Sequence, residues 1–248
     1  MTFRDSGARR VSLNIDLGEL PGEPRELYEL ATVVNIACGG HAGDEATMRR
    51  ALELAESSGA RVSAHPSYPD RENFGRRSIE LPVDELKASV ARQVRTLREL
   101  GAERKMKVLG LKPHGALYHD VSVREELARM IVEIFMEELA AKEPEAVLIG
   151  PGTGALCALA RDQKLPYLRE GFADRGVDAS GCLIPRGTKG ALIEDPARAV
   201  ARAVQLAESG EVETICVHGD TRGAVEIARA VRRALEERGL LRSSGTRR

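Results

Sequence analysis

VSLNIDLGE at residues 11–19 and TVVNIACGGHAGD at residues 32–44 decide the fold, because each is a short apolar run that ends in a polar, glycine-containing cluster. Five more runs of this kind follow at 61–64, 106–111, 146–149, 166–170 and 213–217, which makes seven predicted strands (11–16 and 32–37 being the first two). Helical periodicity fills the intervals, at 44–57, 82–100, 123–141, 154–163, 196–209 and 221–238. In 82–100 the residues Leu86, Val90, Val94 and Leu97 recur at three- and four-residue steps and form one buried face, with Pro82 in the first turn. Gly59, Gly101, Gly210 and Gly239 are expected to stop four of these helices. Strands alternating with helices imply parallel strands joined by crossovers, hence an open doubly wound sheet or a barrel. No linker or repeat interrupts the pattern, so one domain is expected over 1–241, with a mobile tail at 242–248.

Composition narrows the partners. The 248 residues carry 37 Lys and Arg against 38 Asp and Glu, so the basic surplus of a nucleic-acid binder is missing. No run approaches the roughly 18 apolar residues of a membrane span, and residues 1–10 lack the apolar stretch of a secretory signal, which points to the cytoplasm. Cys38, Cys157, Cys182 and Cys216 are scattered without a C-x-x-C pair, so neither a disulfide framework nor a zinc cluster of cysteines is expected, and they read as small buried residues. Aromatics make up only 3% and Trp is absent, which leaves Ala, Val, Leu and Ile to build the core.

The polar chemistry collects after the strands. His41, His65, His114 and His218 each fall at or just past a strand end, and in parallel α/β folds those loops share one face. The same positions carry Asn14, Asp16 and Glu19 in LNIDLGE, a set that could ligate a metal, supply a general base or build an Asx-stabilised turn. In NIACGGHAGD, Gly39 and Gly40 allow close backbone approach, while Asp44 can cap the next helix. The segment AHPSYPDRENFGRR (64–77) is long for a connection, and its His65, Tyr68, Arg71, Arg76 and Arg77 suit a carboxylate or phosphate. LKPHGALY (111–118) places Lys112 and His114 around Pro113, with His119 beyond it read as surface. EGFADR (170–175) offers Glu170 as the catalytic candidate, with Asp174 and Arg175 as an ion pair or ligands, and VHGDT (217–221) adds His218 and Asp220.

GPGTGA (150–155) and PRGTKG (185–190) have the wrong spacing for a phosphate-cradling loop or a dinucleotide fingerprint, and no G-x-S-x-G elbow occurs. Acid–base chemistry on a small polar substrate remains, with C–N bond hydrolysis the natural candidate.

Taken in order, LNIDLGE, NIACGGHAGD, HPSYPD with FGRR, LKPHGALY, EGFADR with LIPRG, and VHGD resemble the 5-oxoprolinase A-subunit family, also called the LamB/YcsF or lactam-utilisation family. The resemblance spans about residues 12 to 221. It implies a seven-stranded (β/α) barrel related to glycoside hydrolase and deacetylase barrels. The implied activity is ATP-dependent opening of 5-oxo-L-proline to L-glutamate with two partner subunits, B and C, which would handle most of the nucleotide. Carried onto this chain, it makes Asp16, His41, His65, Lys112, His114 and Glu170 catalytic. Asn14, Glu19, Asp44, Arg76, Tyr118, Asp174, Arg175, His218 and Asp220 would bind substrate. A divalent metal, if held as in the deacetylase barrels, would take Asp16, His41 and His65. Ser12 and Ile15 stand where the family pattern has Asp and Ala. A stand-alone metal-dependent amide or carbohydrate deacetylase, and a non-catalytic subunit that binds a small acid, are the competing expectations.

Overall fold

The computed structural model describes residues 10–178 and 183–242. Its seven strands are β1 (Ser12–Leu17), β2 (Val33–Ala37), β3 (Arg61–His65), β4 (Val108–Leu111), β5 (Val147–Pro151), β6 (Tyr167–Phe172) and β7 (Thr214–His218). All neighbours are parallel, and β7 closes onto β1, so the seven form a closed barrel rather than an open sheet. The helices around it are α1 (Arg25–Leu30), α2 (Glu45–Ser58), α3 (Val83–Glu103), α4 (Gly115–Val123), α5 (Glu125–Ile134), α6 (Ala155–Asp162), α7 (Pro196–Ser209) and α8 (Ala224–Glu237).

The pleat of β1 sorts its residues into two environments, since alternate side chains point to opposite faces. Leu13, Ile15 and Leu17 are fully buried in the main apolar cluster with the helices. Asn14 and Asp16 face inward, where Asn14 donates to the Thr214 hydroxyl at 2.8 Å and Asn35 donates to Asn14 and Asp16 at 2.6 and 2.7 Å. Lower in the interior, Val33, Val147, Ile149 and Leu168 form an apolar plug. The barrel is therefore apolar at its base and polar above it. Ser12 sits at the entry of β1, paired with Thr214 and opposite the polar end.

Four expectations change. The stretch 123–141 is not one helix: α4 already starts at Gly115, the chain breaks at Arg124, and α5 continues into a π-helical turn over Phe135–Ala140. Neither α1 nor α4 is foreseen from periodicity, because α1 is only six residues long and α4 lies in a motif rich in turn residues. Gly101 does not stop α3, which runs to Glu103, whereas Gly59 and Gly210 are left-handed caps. Arg242 is not loose, since its N–H donates to the Val11 carbonyl at 2.8 Å; the rest of the expected tail, 243–248, lies outside the described residues, as do residues 1–9 and Cys182. No helix among the described residues is long and apolar enough to cross a membrane.

Candidate active site

A pocket of about 570 Å³ opens at the carboxyl ends of the strands. Strand register brings its floor together: Asp16 lies beside Asn35 on one side and His218 on the other. Lys112, at the end of β4, reaches across the interior to Asp16 at 2.8 Å and Glu170 at 2.9 Å. All three are buried. Burial would strip the Lys112 proton, but its acidic neighbours, the Asp16 carboxylate above all, raise its pKa well above the ordinary lysine value. Burial likewise works against the Asp16 carboxylate, yet His65 and Lys112 hold it well below the usual range. Burial dominates at Glu170 and raises it. The Tyr118 hydroxyl is pushed well up by burial and by Glu170, so it stays protonated. One ionised carboxylate, one ammonium and a second carboxyl whose pKa burial raises thus share a single site.

His218 belongs to a second unit. Its Nδ1–H donates to Asp174 at 2.9 Å, and its Nε2 faces Asp16 at 3.9 Å. Asp174 also accepts from the His218 backbone N–H at 2.9 Å and the Thr221 hydroxyl at 2.7 Å. Burial opposes its charge, but His218 and these donors lower its pKa. Phe172 stacks on the His218 ring and fixes its plane. Pairing of His218 with Asp174 is invisible in the sequence because 44 residues separate them, and only the adjacency of β6 and β7 joins them.

Three histidines form a third unit. The rings of His41 and His114 stack at 3.6 Å, and His65 meets His114 edge-on. Glu19 approaches His41 Nε2 at 3.0 Å. Burial lowers His41 to about 3 and raises Glu19 to about 8. Burial and the neighbouring His41 and His65 lower His114 well below the ordinary histidine value. Glu19 is placed by Glu23, whose carboxylate accepts the N–H groups of Gly18, Glu19 and Leu20 at 2.7 to 2.9 Å and is itself held by Tyr28 of α1. The long loop 64–77 folds over this cluster, and Gly75 and Gly115 let it pass close to α4: both have positive φ, and a Cβ on Gly75 would come within 2.8 Å of His41 Cβ.

The remaining candidates divide. Arg76, Arg77, Arg175 and Arg186 line the mouth, and Asp220 ties Arg76 to Arg186. Arg175 also donates to the carbonyls of Ala191 and Ile184, which anchors the loop before α7 and does not make the expected pair with Asp174. Tyr68 and Arg71 are spent on structure: Tyr68 donates to Asp120 and Arg71 to the Gly39 and Gly43 carbonyls. Asp44 is the N-cap of α2, bonded to Thr47, and stands outside the pocket. His119, read as surface, is exposed yet lines the mouth. The ligand atoms of Asp16, His41 and His65 do not converge as a set. Among the described residues the converging groups are Asp16, Cys216 and His218, and Glu19, His65 and His114. Lys112 lies 2.8 Å from Asp16 and 3.1 Å from Cys216, so an ammonium already occupies the first group's charge, and only the second fits a cation.

Closed parallel barrel, buried ion triad and strand-end pocket define a (β/α)-barrel protein with an enzyme-like acid–base site. The chain belongs to the LamB/YcsF family, whose family model matches residues 11–246. It is 39% identical to the A subunit of a 5-oxoprolinase from Methylococcus capsulatus, over 94% of this chain and 95% of that one. Among solved structures it is similar to a lactam utilization protein of Thermus thermophilus, with 33% identity, a TM-score of 0.83, and coverage of 94% of this chain and 98% of that one. The catalytic domain of a peptidoglycan N-acetylglucosamine deacetylase of Eubacterium rectale shares the fold alone, at a TM-score of 0.52 and 12% identity, covering 99% of this chain and 94% of that chain.

Proposed function

We propose that this chain is the A subunit of an ATP-dependent 5-oxoprolinase and carries the hydrolytic opening of the 5-oxo-L-proline ring to L-glutamate. The observation that carries the reading is the juxtaposition of two complementary units on one pocket floor: the Asp16–Lys112–Glu170 triad and the Asp174–His218 pair. In this reading His218, held as the Nδ1–H tautomer by Asp174, takes a proton from water at Nε2. The water oxygen bonds to the lactam carbonyl carbon, and the Lys112 ammonium stabilises the oxygen that becomes negative. The C–N bond then breaks, and the nitrogen takes a proton from Glu170, whose raised pKa favours the acid form. Asp16 keeps Lys112 charged and in place. Arg76 and its neighbours at the mouth receive the substrate carboxylate, or a phosphoryl group if the ring arrives activated.

ATP enters as a co-substrate of a cytoplasmic complex with subunits B and C, because this chain carries no phosphate-cradling loop in its sequence. Should a divalent metal take part, Glu19, His65 and His114 would hold it, and it would supply Lewis acidity beside the pocket. The reading is tested by measuring glutamate released from 5-oxo-L-proline by the purified chain, with and without ATP and subunits B and C. Release that needs all components and is lost in Asp16→Asn supports it. No release in a mixture that is active when a family relative replaces this chain overturns it, in favour of a stand-alone hydrolase or a binding protein.

A further inference from the structure

In the three-histidine unit two rings are oriented by backbone carbonyls so that their other nitrogens converge with one carboxylate oxygen. His65 Nδ1 lies 2.8 Å from the Lys112 carbonyl and His114 Nε2 lies 3.0 Å from the Phe74 carbonyl. Carbonyls only accept, so each of these contacts takes a ring N–H and turns the other nitrogen of that ring into the cluster. Those two nitrogens, His65 Nε2 and His114 Nδ1, face each other at 3.0 Å, and Asp16 Oδ2 lies 3.3 Å from His65 Nε2. Glu19 Oε1 completes a triangle, 3.3 Å from His114 Nδ1 and 3.8 Å from His65 Nε2. A point exists about 2.0 Å from all three atoms at once, which is the bond length of zinc to imidazole and carboxylate.

We propose that Glu19 Oε1, His65 Nε2 and His114 Nδ1 form a site for one divalent transition-metal ion, of which zinc matches the two-imidazole, one-carboxylate donor set. The surroundings are those of a metal site. The carbonyls of Lys112 and Phe74 fix both ring orientations, and His41 Nε2 meets the Glu19 carboxylate at 3.0 Å. All four side chains are at least nine-tenths buried, and His65 and His114 also line the pocket, so a further coordination position would open toward the substrate. This set shares only His65 with the Asp16, His41 and His65 expected from the resemblance to deacetylase barrels.

Metal binding is read without turnover, so its outcome is independent of the lactam reading. The full chain, stripped with chelator and dialysed, is titrated with Zn²⁺ and with Co²⁺, with metal content measured by elemental analysis and Co²⁺ ligation by its visible absorption. The proposal expects one equivalent per chain, a rise in unfolding temperature on metal addition, and a loss of affinity on the order of 100-fold or more in His114→Ala and Glu19→Gln. If those variants do not fold, the metal-dependent rise in the wild-type unfolding temperature decides. Content well below one equivalent with no rise overturns the site and leaves a proton shared between the rings. A cobalt–thiolate charge-transfer band overturns it too, by moving the ion to Cys216.

Discussion

The two faces of β1 differ in kind although they alternate along six residues. Leu13, Ile15 and Leu17 enter the apolar shell under the helices, while Asn14 and Asp16 enter a polar network that reaches residues in or just after five other strands. On the outer face one side chain is replaceable by another of similar volume, because area removed from water is what counts. On the inner face each charge is balanced by a named partner, so identity counts. The barrel thus keeps its stability on one set of residues and its chemistry on the other, and the comparison can be broken at either.

The largest effect is expected for Lys112→Met. It leaves Asp16 and Glu170 buried without their cation, which should cost about 3–5 kcal/mol of stability and abolish glutamate release; urea unfolding and the reconstituted assay check both. Asp174→Asn comes next: it frees His218 to take the wrong tautomer, with an expected fall in kcat of about 10²–10⁴-fold at nearly unchanged KM. The same variant carries a pH prediction. Because the Asp174 pKa is lowered in the folded chain, its carboxylate contributes stability at pH above its ordinary 3.8 that is lost as pH falls through the folded value. Acid unfolding of Asp174→Asn should therefore depend less on pH below 3.8 than that of the wild type. Arg76→Ala should raise KM about 10- to 100-fold while kcat holds, since charge-assisted bonds to a carboxylate are worth about 1.5–3 kcal/mol. Ile15→Ala, on the outer face, should have the smallest effect on turnover per folded chain while still costing about 2–5 kcal/mol in urea unfolding. Loss of turnover in folded Ile15→Ala would erase the distinction between the faces.

Legibility followed the same division. The strands were readable because a buried parallel strand is an apolar run with a polar end, and the strand-end rule placed Asp16, Lys112 and Glu170 on one face, while periodicity left an open sheet or a barrel and the barrel came from the family resemblance. What sequence could not supply was pairing across the barrel. Asp174 and Arg175 are neighbours in the chain, yet Asp174 turns to His218 and Arg175 to loop carbonyls. Glu19 and Asp44 both follow a strand, but the Glu23 carboxylate directs Glu19 inward, whereas Asp44 is consumed by its helix. Expecting Asp16, His41 and His65 as ligands assumed that neighbours in motif order converge; His65 Nε2 does come within 3.3 Å of Asp16, but Lys112 claims that carboxylate and His41 turns to Glu19 instead. The short α1 gave no periodic signal, although its Tyr28 supports the loop that presents Glu19.

If the inner face does the chemistry that the outer face only supports, His218→Asn exposes it most directly. Turnover of 5-oxo-L-proline would be measured in the complex with ATP and subunits B and C, under conditions where circular dichroism shows the variant folded. A fall of at least about 100-fold, the scale of a lost general base, is the expected result. Turnover equal to that of the wild type would contradict this division of labour and remove the His218–Asp174 pair from the reaction.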